Sequence, residues 1–125
     1  MYEYNAIVDK VVDGDTIDVT IDLGFKTWKK VRVRLEGINT PESRTRDLEE
    51  KERGLAAKNR LQEILEYNDN QCTLKVSGLG KFGRALATVF VQHLSPVSTD
   101  SITLTNVNQQ LITEGHAVEY HGGKR

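Results

Sequence analysis

Two short runs constrain this chain more than anything else in it. "TIDVTIDL" (Thr16–Leu23) sets Ile17, Val19, Ile21 and Leu23 against Asp18, Thr20 and Asp22. "VRVRLE" (Val31–Glu36) sets Val31, Val33 and Leu35 against Arg32, Arg34 and Glu36. A period of two suits a strand with one buried and one wet face, and a helix cannot use it. Asp13-Gly14-Asp15 precedes the first run, and Asp-Gly favours the tight hairpin turns. Gly24–Thr27 separates the two runs, and a strand of mixed pattern from Tyr4 to Val12 comes before both. The reading is an antiparallel meander of three strands, the third opening near Trp28, with Ile17, Val19, Ile21 and Leu23 all inward. Gly37 breaks the second run, since Ile38 falls on the wrong parity; a bulge or kink is expected there. Pro41 ends the strand. Arg34 therefore lies near a strand end and Glu42 in the turn beyond it, so that a cation and a carboxylate converge at one rim.

The rest of the chain supplies elements to pack against this meander. A helix is expected from Leu48 to Tyr67, with Gly54, Ala57, Leu61, Ile64 and Leu65 as its apolar stripe. Asp47, Glu49 and Glu50 sit where the helix dipole favours negative charge. "CTLKVS" reads as a fourth strand and "ALATVFV" as a fifth, apolar on both faces and hence central. Between them lies the glycine-punctuated turn "GLGKFGR", and His93–Asp100 reads as a polar loop. A short helix from Asn106 to Glu114 is capped by Gly115. "HAVEY" is extended, and the tail from about His121 to Arg125 is frayed. Three strands, a helix, two strands and a helix suit an α+β chain built on a five-stranded barrel of oligonucleotide-binding (OB-fold) type with two helices. Small sandwiches share that order.

At 125 residues the chain suits one domain, 1–125, with one core. Its 17 basic and 18 acidic residues leave a net charge of −1, so any hold on nucleic acid comes from a local patch rather than a global field. The single cysteine, Cys72, excludes an internal disulfide and reads as a buried, inert thiol. No apolar run is long enough to cross a membrane, and the N-terminus shows no secretory pattern, so a cytoplasmic monomer without membrane contact is expected.

Four stretches carry candidate chemistry: Asp13–Thr16, the strand bearing Arg34, Asn39–Glu42, and Lys81–Arg84. Each alone has an ordinary reading as a turn or a solvated sheet face. Together they supply what phosphodiester hydrolysis needs, namely a hard cation, an activated water and donors for the phosphate oxygens. Asp15 offers a carboxylate, and Asn39 and the Thr40 carbonyl offer neutral oxygens, all acceptable to calcium. Glu42 is placed to take a proton from water, and Arg34 and Arg84 to grip a phosphate with paired donors. His93, His116 and His121 show no metal spacing and read as surface or structural groups. Arg44 and Arg46 read equally as guides for a phosphate strand or as solvated bystanders. Phe25 and Trp28 read as core or barrel-end packing rather than as platforms for bases.

The chain resembles the staphylococcal nuclease (thermonuclease) family through "VVDGDT", "VRLEGINTPE", "RGLAAKNRLQEIL", "KFGRALATVFV" and "NVNQQLITEGHAV", in that order and at similar spacings. The resemblance runs from about Ile7 to Glu119. It implies an SNase-like domain on an OB-fold-type barrel and calcium-dependent endonuclease cleavage of DNA and RNA with low sequence specificity, leaving 3′-phosphate ends. Calcium, or another divalent cation, is the implied cofactor. By position, it implies that Asp15 is the first metal carboxylate, that Arg34 and Arg84 stabilise the charged phosphorus centre, and that Glu42 helps activate the water. Asn39 and Thr40 complete the implied metal set, and Lys81, Phe82 and Tyr120 fall where the family binds substrate. DNA or RNA, preferably single-stranded, is the implied partner.

Two departures bear on this. Asn39 stands where the family often has a second aspartate, which removes a charge and weakens calcium. Phe82 stands where the family has tyrosine, which removes a hydroxyl. Asn39 leaves a second reading open, that of a catalytically weak or inactive module that only binds nucleic acid or protein.

Overall fold

The computed structural model describes residues 2–79, 83–94 and 102–121. Strands β1 (Tyr2–Asp13), β2 (Thr16–Asp22) and β3 (Trp28–Leu35) form the expected meander, in the register Val8↔Val19 and Val19↔Val31. Then come β4 (Ile38–Asn39), helix α1 (Leu48–Tyr67), β5 (Gln71–Leu79), β6 (Ala85–Leu94), β7 (Ile102–Asn106), helix α2 (Val107–Thr113) and β8 (Val118–Glu119). β5 runs antiparallel to β1 and to β6. β6 then pairs in parallel with β3 at Val33↔Ala85 and Leu35↔Ala87. That last pairing closes β3-β2-β1-β5-β6 into a five-stranded barrel, with β7 added beside β6 and a separate β4–β8 pair.

Closure makes the alternation work. Ile17, Val19, Val33, Leu35, Leu74, Ala87 and Val89 fill the barrel, each fully buried. Each Leu or Ile so buried contributes roughly 1.5–3 kcal/mol. β6 is the most enclosed strand, with β3, β5 and β7 all bonded to it, which is why it is apolar on both faces. Cys72 is buried among these residues, and desolvation pushes its thiol up to about 12.

α1 begins where its sequence says it should. The Asp47 carboxylate accepts hydrogen bonds from the amides of Glu49 and Glu50. Gly54, Ala57, Leu61, Ile64 and Leu65 form its buried face. Only glycine fits at position 54. A Cβ there would run into the Glu42 carbonyl and the Ser43 amide, so the helix lies directly against the backbone of the turn that carries Glu42. Asn106 caps α2, and Gly115 ends it at φ +82. Asn108, on α2, is buried; its carboxamide accepts from Val89 N and donates to the carbonyls of Glu36 and Ala87. Arg60 of α1 holds Glu114 through two hydrogen bonds of 2.6 and 2.9 Å. That guanidinium, helped by the Gln110 amide, draws the Glu114 carboxyl down to about 2.

Several expectations need correction. Leu23 does not face in, and Phe25 and Trp28 are not packed in the core: Leu23 is 42%, Trp28 54% and Phe25 fully exposed. The β2–β3 ladder ends at Asp22↔Trp28, so the alternation stops having a barrel to point into. β6 continues through His93 to Leu94, paired with β7, so only the part of the expected polar loop beyond Leu94 is left, and residues 95–101 lie outside the described part. The Asp13–Thr16 turn forms, but Gly14 does not take a positive φ. Glycine is needed there because a Cβ would come within 2.8 Å of Ala57 Cβ and 2.9 Å of Thr40 Oγ1.

Candidate active site

The site grows out of three chain reversals that meet at one end of the barrel. The first is the β1–β2 turn, which carries Asp13, Asp15 and Thr16. The second is the end of β3, where Arg34 pairs across the ladder with Thr16 and Leu35 N donates to Asp15 O at 2.8 Å. The third follows Gly37, whose φ of +79 lets the chain turn from β3 into β4 and so present Asn39, Thr40 and Glu42.

Asp15 is the hub. Its side chain is only 8% exposed, so its charge must be compensated. Thr16 Oγ1 donates to Oδ1 at 3.0 Å, the Thr40 amide donates to Oδ2 at 3.1 Å, and Arg34 Nη1 lies 3.4 Å from Oδ2. Arg34 also donates nearby, from Nη1 to the Leu35 carbonyl at 3.0 Å and from Nη2 to Asn39 Oδ1 at 3.1 Å. Its guanidinium carbon lies 6.0 Å from the centre of the Tyr120 ring, within cation–π range. Tyr120 is fixed by its amide, which donates to the Gly37 carbonyl at 2.9 Å. Asp15, Arg34, Asn39, Thr40 and Tyr120, distant in sequence, thus form one cluster.

Glu42 and Arg84 meet in an adjoining open pocket of about 200 Å³, lined also by Asp13, Thr16, Arg32 and Arg44. Thr16 joins the two halves, since it lines the pocket and bonds to Asp15. The Glu42 amide is 3.4 Å from Glu50 Oε1 on α1, a second tie between the turn and the helix besides the Gly54 contact. Arg46 is exposed and does not line the pocket. Lys81 and Phe82 lie outside the described residues.

Residue type alone marks the Asp13–Thr16 turn but gives no role of their own to Asp13 and Thr16, nor to Arg32 on β3. Asp13 was visible as the other carboxylate of the Asp-Gly-Asp turn, and its Oδ1 is buried without a hydrogen-bond partner. Arg32 is committed elsewhere, bound through two hydrogen bonds of 2.8 and 3.1 Å to Asp18, whose carboxyl it holds below the usual range. No group of three or more His, Cys, Asp and Glu able to hold a metal occurs among the described residues. The oxygen donors present, the carboxylates of Asp13 and Asp15 with the neutral oxygens of Asn39 and Thr40, suit a hard cation in type while offering it little charge. Internal bonding does not explain the buried Asp13 Oδ1.

Comparison with known proteins bears on the family. Residues 32–125 match the family model described as staphylococcal nuclease homologue. A micrococcal nuclease of Shigella flexneri is 30% identical over 118 residues, which is 94% of this chain and 59% of that protein, so the chain spans about three fifths of that relative's length. The chain belongs to the family of staphylococcal nuclease homologues.

Proposed function

We propose that this chain is a divalent-cation-dependent phosphodiesterase that cleaves DNA or RNA with low sequence specificity, with calcium as its metal. The observation that carries the reading is the convergence of Arg34, Arg84 and Glu42 with the buried Asp15 at one end of the barrel. Asp15, Asn39 and the Thr40 carbonyl would hold the cation, with Asp13 beside them. When bound, the cation would supply Lewis acidity toward a phosphate oxygen and lower the pKa of water.

The chain's own residues do the rest. Arg34 is shared between Asp15 and Asn39, two residues that would ligate the cation. A phosphate arriving beside the guanidinium presents a better acceptor than the Asn39 amide oxygen, so Arg34 turns from Asn39 to the phosphate. Arg84 approaches from the other wall of the pocket, and two arginines then stabilise charge that grows as the phosphorus becomes five-coordinate. Glu42, on a turn clamped by α1, accepts the proton of the attacking water. The relevant assay is digestion of denatured DNA with calcium and then with chelator, on wild type and on Glu42→Ala. Calcium-dependent loss of substrate that Glu42→Ala abolishes supports the reading. Equal loss with chelator, or full activity in Glu42→Ala, sinks it.

A binding module without turnover is the second reading, favoured by the low ligand charge left by Asn39. It expects retention of single-stranded DNA with a measurable salt slope and no cleavage under any metal.

A further inference from the structure

The outward face of the meander does not end at the active site. Along β3 the outward positions are Arg34, Arg32, Lys30 and Trp28, running from the site to the far tip of the β2–β3 hairpin. Three open hollows follow this face in order. The active-site pocket shares Arg32 with a second hollow of about 360 Å³, lined by Asp9, Asp18 and Lys30 as well. A third, of about 330 Å³, follows two residues further along the same strands. It is walled by Trp28 and Phe90 and carries the carboxamides of Asn5, Asn68, Gln71 and Gln92.

The hairpin tip beside this third hollow is unusual in two ways. Phe25 is wholly exposed, and Trp28 is more than half exposed. Phe25 and Lys26 both hold the left-handed backbone conformation, at φ +53 and +60, which bulky residues disfavour. Lys26, Lys29 and Lys30 lie beside the two aromatics in the chain, all exposed and none in an ion pair among the described residues.

We infer that this face is an extended substrate groove, in which Trp28, with Phe25, stacks a base of single-stranded nucleic acid whose scissile phosphate sits in the active-site pocket. The inference rests on the nuclease reading and adds a subsite to it. Its chemistry decides the occupant. Exposed aromatic rings flanked by lysines match unstacked bases joined by phosphates, and the four carboxamides beside them offer both donors and acceptors to base edges. A duplex cannot present base faces to Trp28. The middle of the face is close to balanced in charge, because Asp18 is bound to Arg32 and Asp9 shares its hollow with Lys10 and Lys30, so the strand is held chiefly at its two ends. Arg34 and Trp28 are about 20 Å apart at ~3.3 Å per strand residue, so a strand must be several nucleotides long to reach both, and a dinucleotide cannot.

Trp28 is the chain's only tryptophan, so its fluorescence reports on this subsite alone. The experiment titrates Glu42→Gln with oligothymidylates of two to twelve nucleotides, and separately with anionic lipid vesicles. Wild type and Phe25→Asn/Trp28→Ala are then compared on a dinucleotide and on a long single strand. The expected result is quenching that is absent with dinucleotides, grows with length over several nucleotides and weakens as salt is raised. The double variant should show about a tenfold higher KM on the long strand, with kcat and dinucleotide cleavage unchanged. Quenching by dinucleotides, quenching by vesicles alone, or equal loss on both substrates overturns the groove. Length-dependent quenching in a protein that never cleaves keeps the groove and overturns the nuclease reading instead.

Discussion

The two ends of the β2–β3 hairpin are built from the same strands and opposed physics. At the site end, charged groups are buried and bound to one another: Asp15 is satisfied by Thr16, Thr40 and Arg34, and Arg34 in turn by Asn39 and Leu35. At the tip, apolar groups are exposed and the backbone carries positive φ at Gly24, Phe25 and Lys26. Each end reverses the ordinary rule of apolar inside and polar outside. The site end can do so because three chain reversals and α1 surround it; the tip can do so because it extends past the barrel, where nothing is displaced. The difference teaches that a polar cluster needs enclosure to become chemistry, whereas an aromatic contact needs only to stand clear of the fold.

The comparison breaks most readily at the site end. Glu42→Ala should lower kcat on denatured DNA by about 10²–10⁴-fold, the usual worth of a positioned acid–base group, with little change in melting temperature because Glu42 is exposed. A large loss of stability instead would recast Glu42 as a structural residue. Gly54→Ala tests the enclosure. The new methyl meets backbone at Glu42 and Ser43, so a loss of about 1–3 kcal/mol in chemical denaturation is expected, together with reduced activity as the turn is pushed away. Unchanged stability would mean that the helix does not hold the turn.

Asn39→Asp sharpens the account of charge. An added carboxylate should lower the calcium needed for half activity, by about tenfold if it ligates the metal, while giving Arg34 an ion-pair partner in place of an amide. An unchanged requirement would remove Asn39 from the metal set. Away from both ends, the Arg60–Glu114 bridge gives a pH signature. The folded Glu114 carboxyl lies at about 2, below its ordinary value of 4.5, so its stabilisation is fully present above that value. It declines as pH falls from 4.5 towards 2, and Glu114→Gln should flatten stability in that window by up to about 1 kcal/mol. The smallest effect lies at the tip. Phe25→Asn should raise stability by about 0.5–1 kcal/mol, since asparagine tolerates a positive φ; a fall in stability would show that the exposed ring packs on something.

Much of this was legible beforehand because it is local. α1 spans Leu48–Tyr67 with its apolar stripe inward, and Asn106 and Gly115 bound α2, because capping and helical spacing are written in neighbouring residues. Asp15, Arg34 and Asn39 stood out because their types suit phosphate and metal chemistry. Residue type gives Asp13 and Arg32 no role of their own for the complementary reason: an unpartnered oxygen and an arginine locked to Asp18 are facts about surroundings. Phe25 and Trp28 were misplaced because apolar character predicts burial only where there is a core to enter.

The sequence by itself determined the five barrel strands, the two helices, most of their faces and the kinds of chemistry on offer, since those depend on periodicity and residue type within a few positions; β4 and β7 were not among them. Only the tertiary structure decided that β6 returns alongside β3 to close the barrel, that Arg34 is shared between Asp15 and Asn39 while Glu42 and Arg84 line the neighbouring pocket, and that the hairpin tip stands in solvent. Those depend on where distant segments meet, and that is settled by burial and closure of the whole chain rather than by any residue's neighbours in sequence.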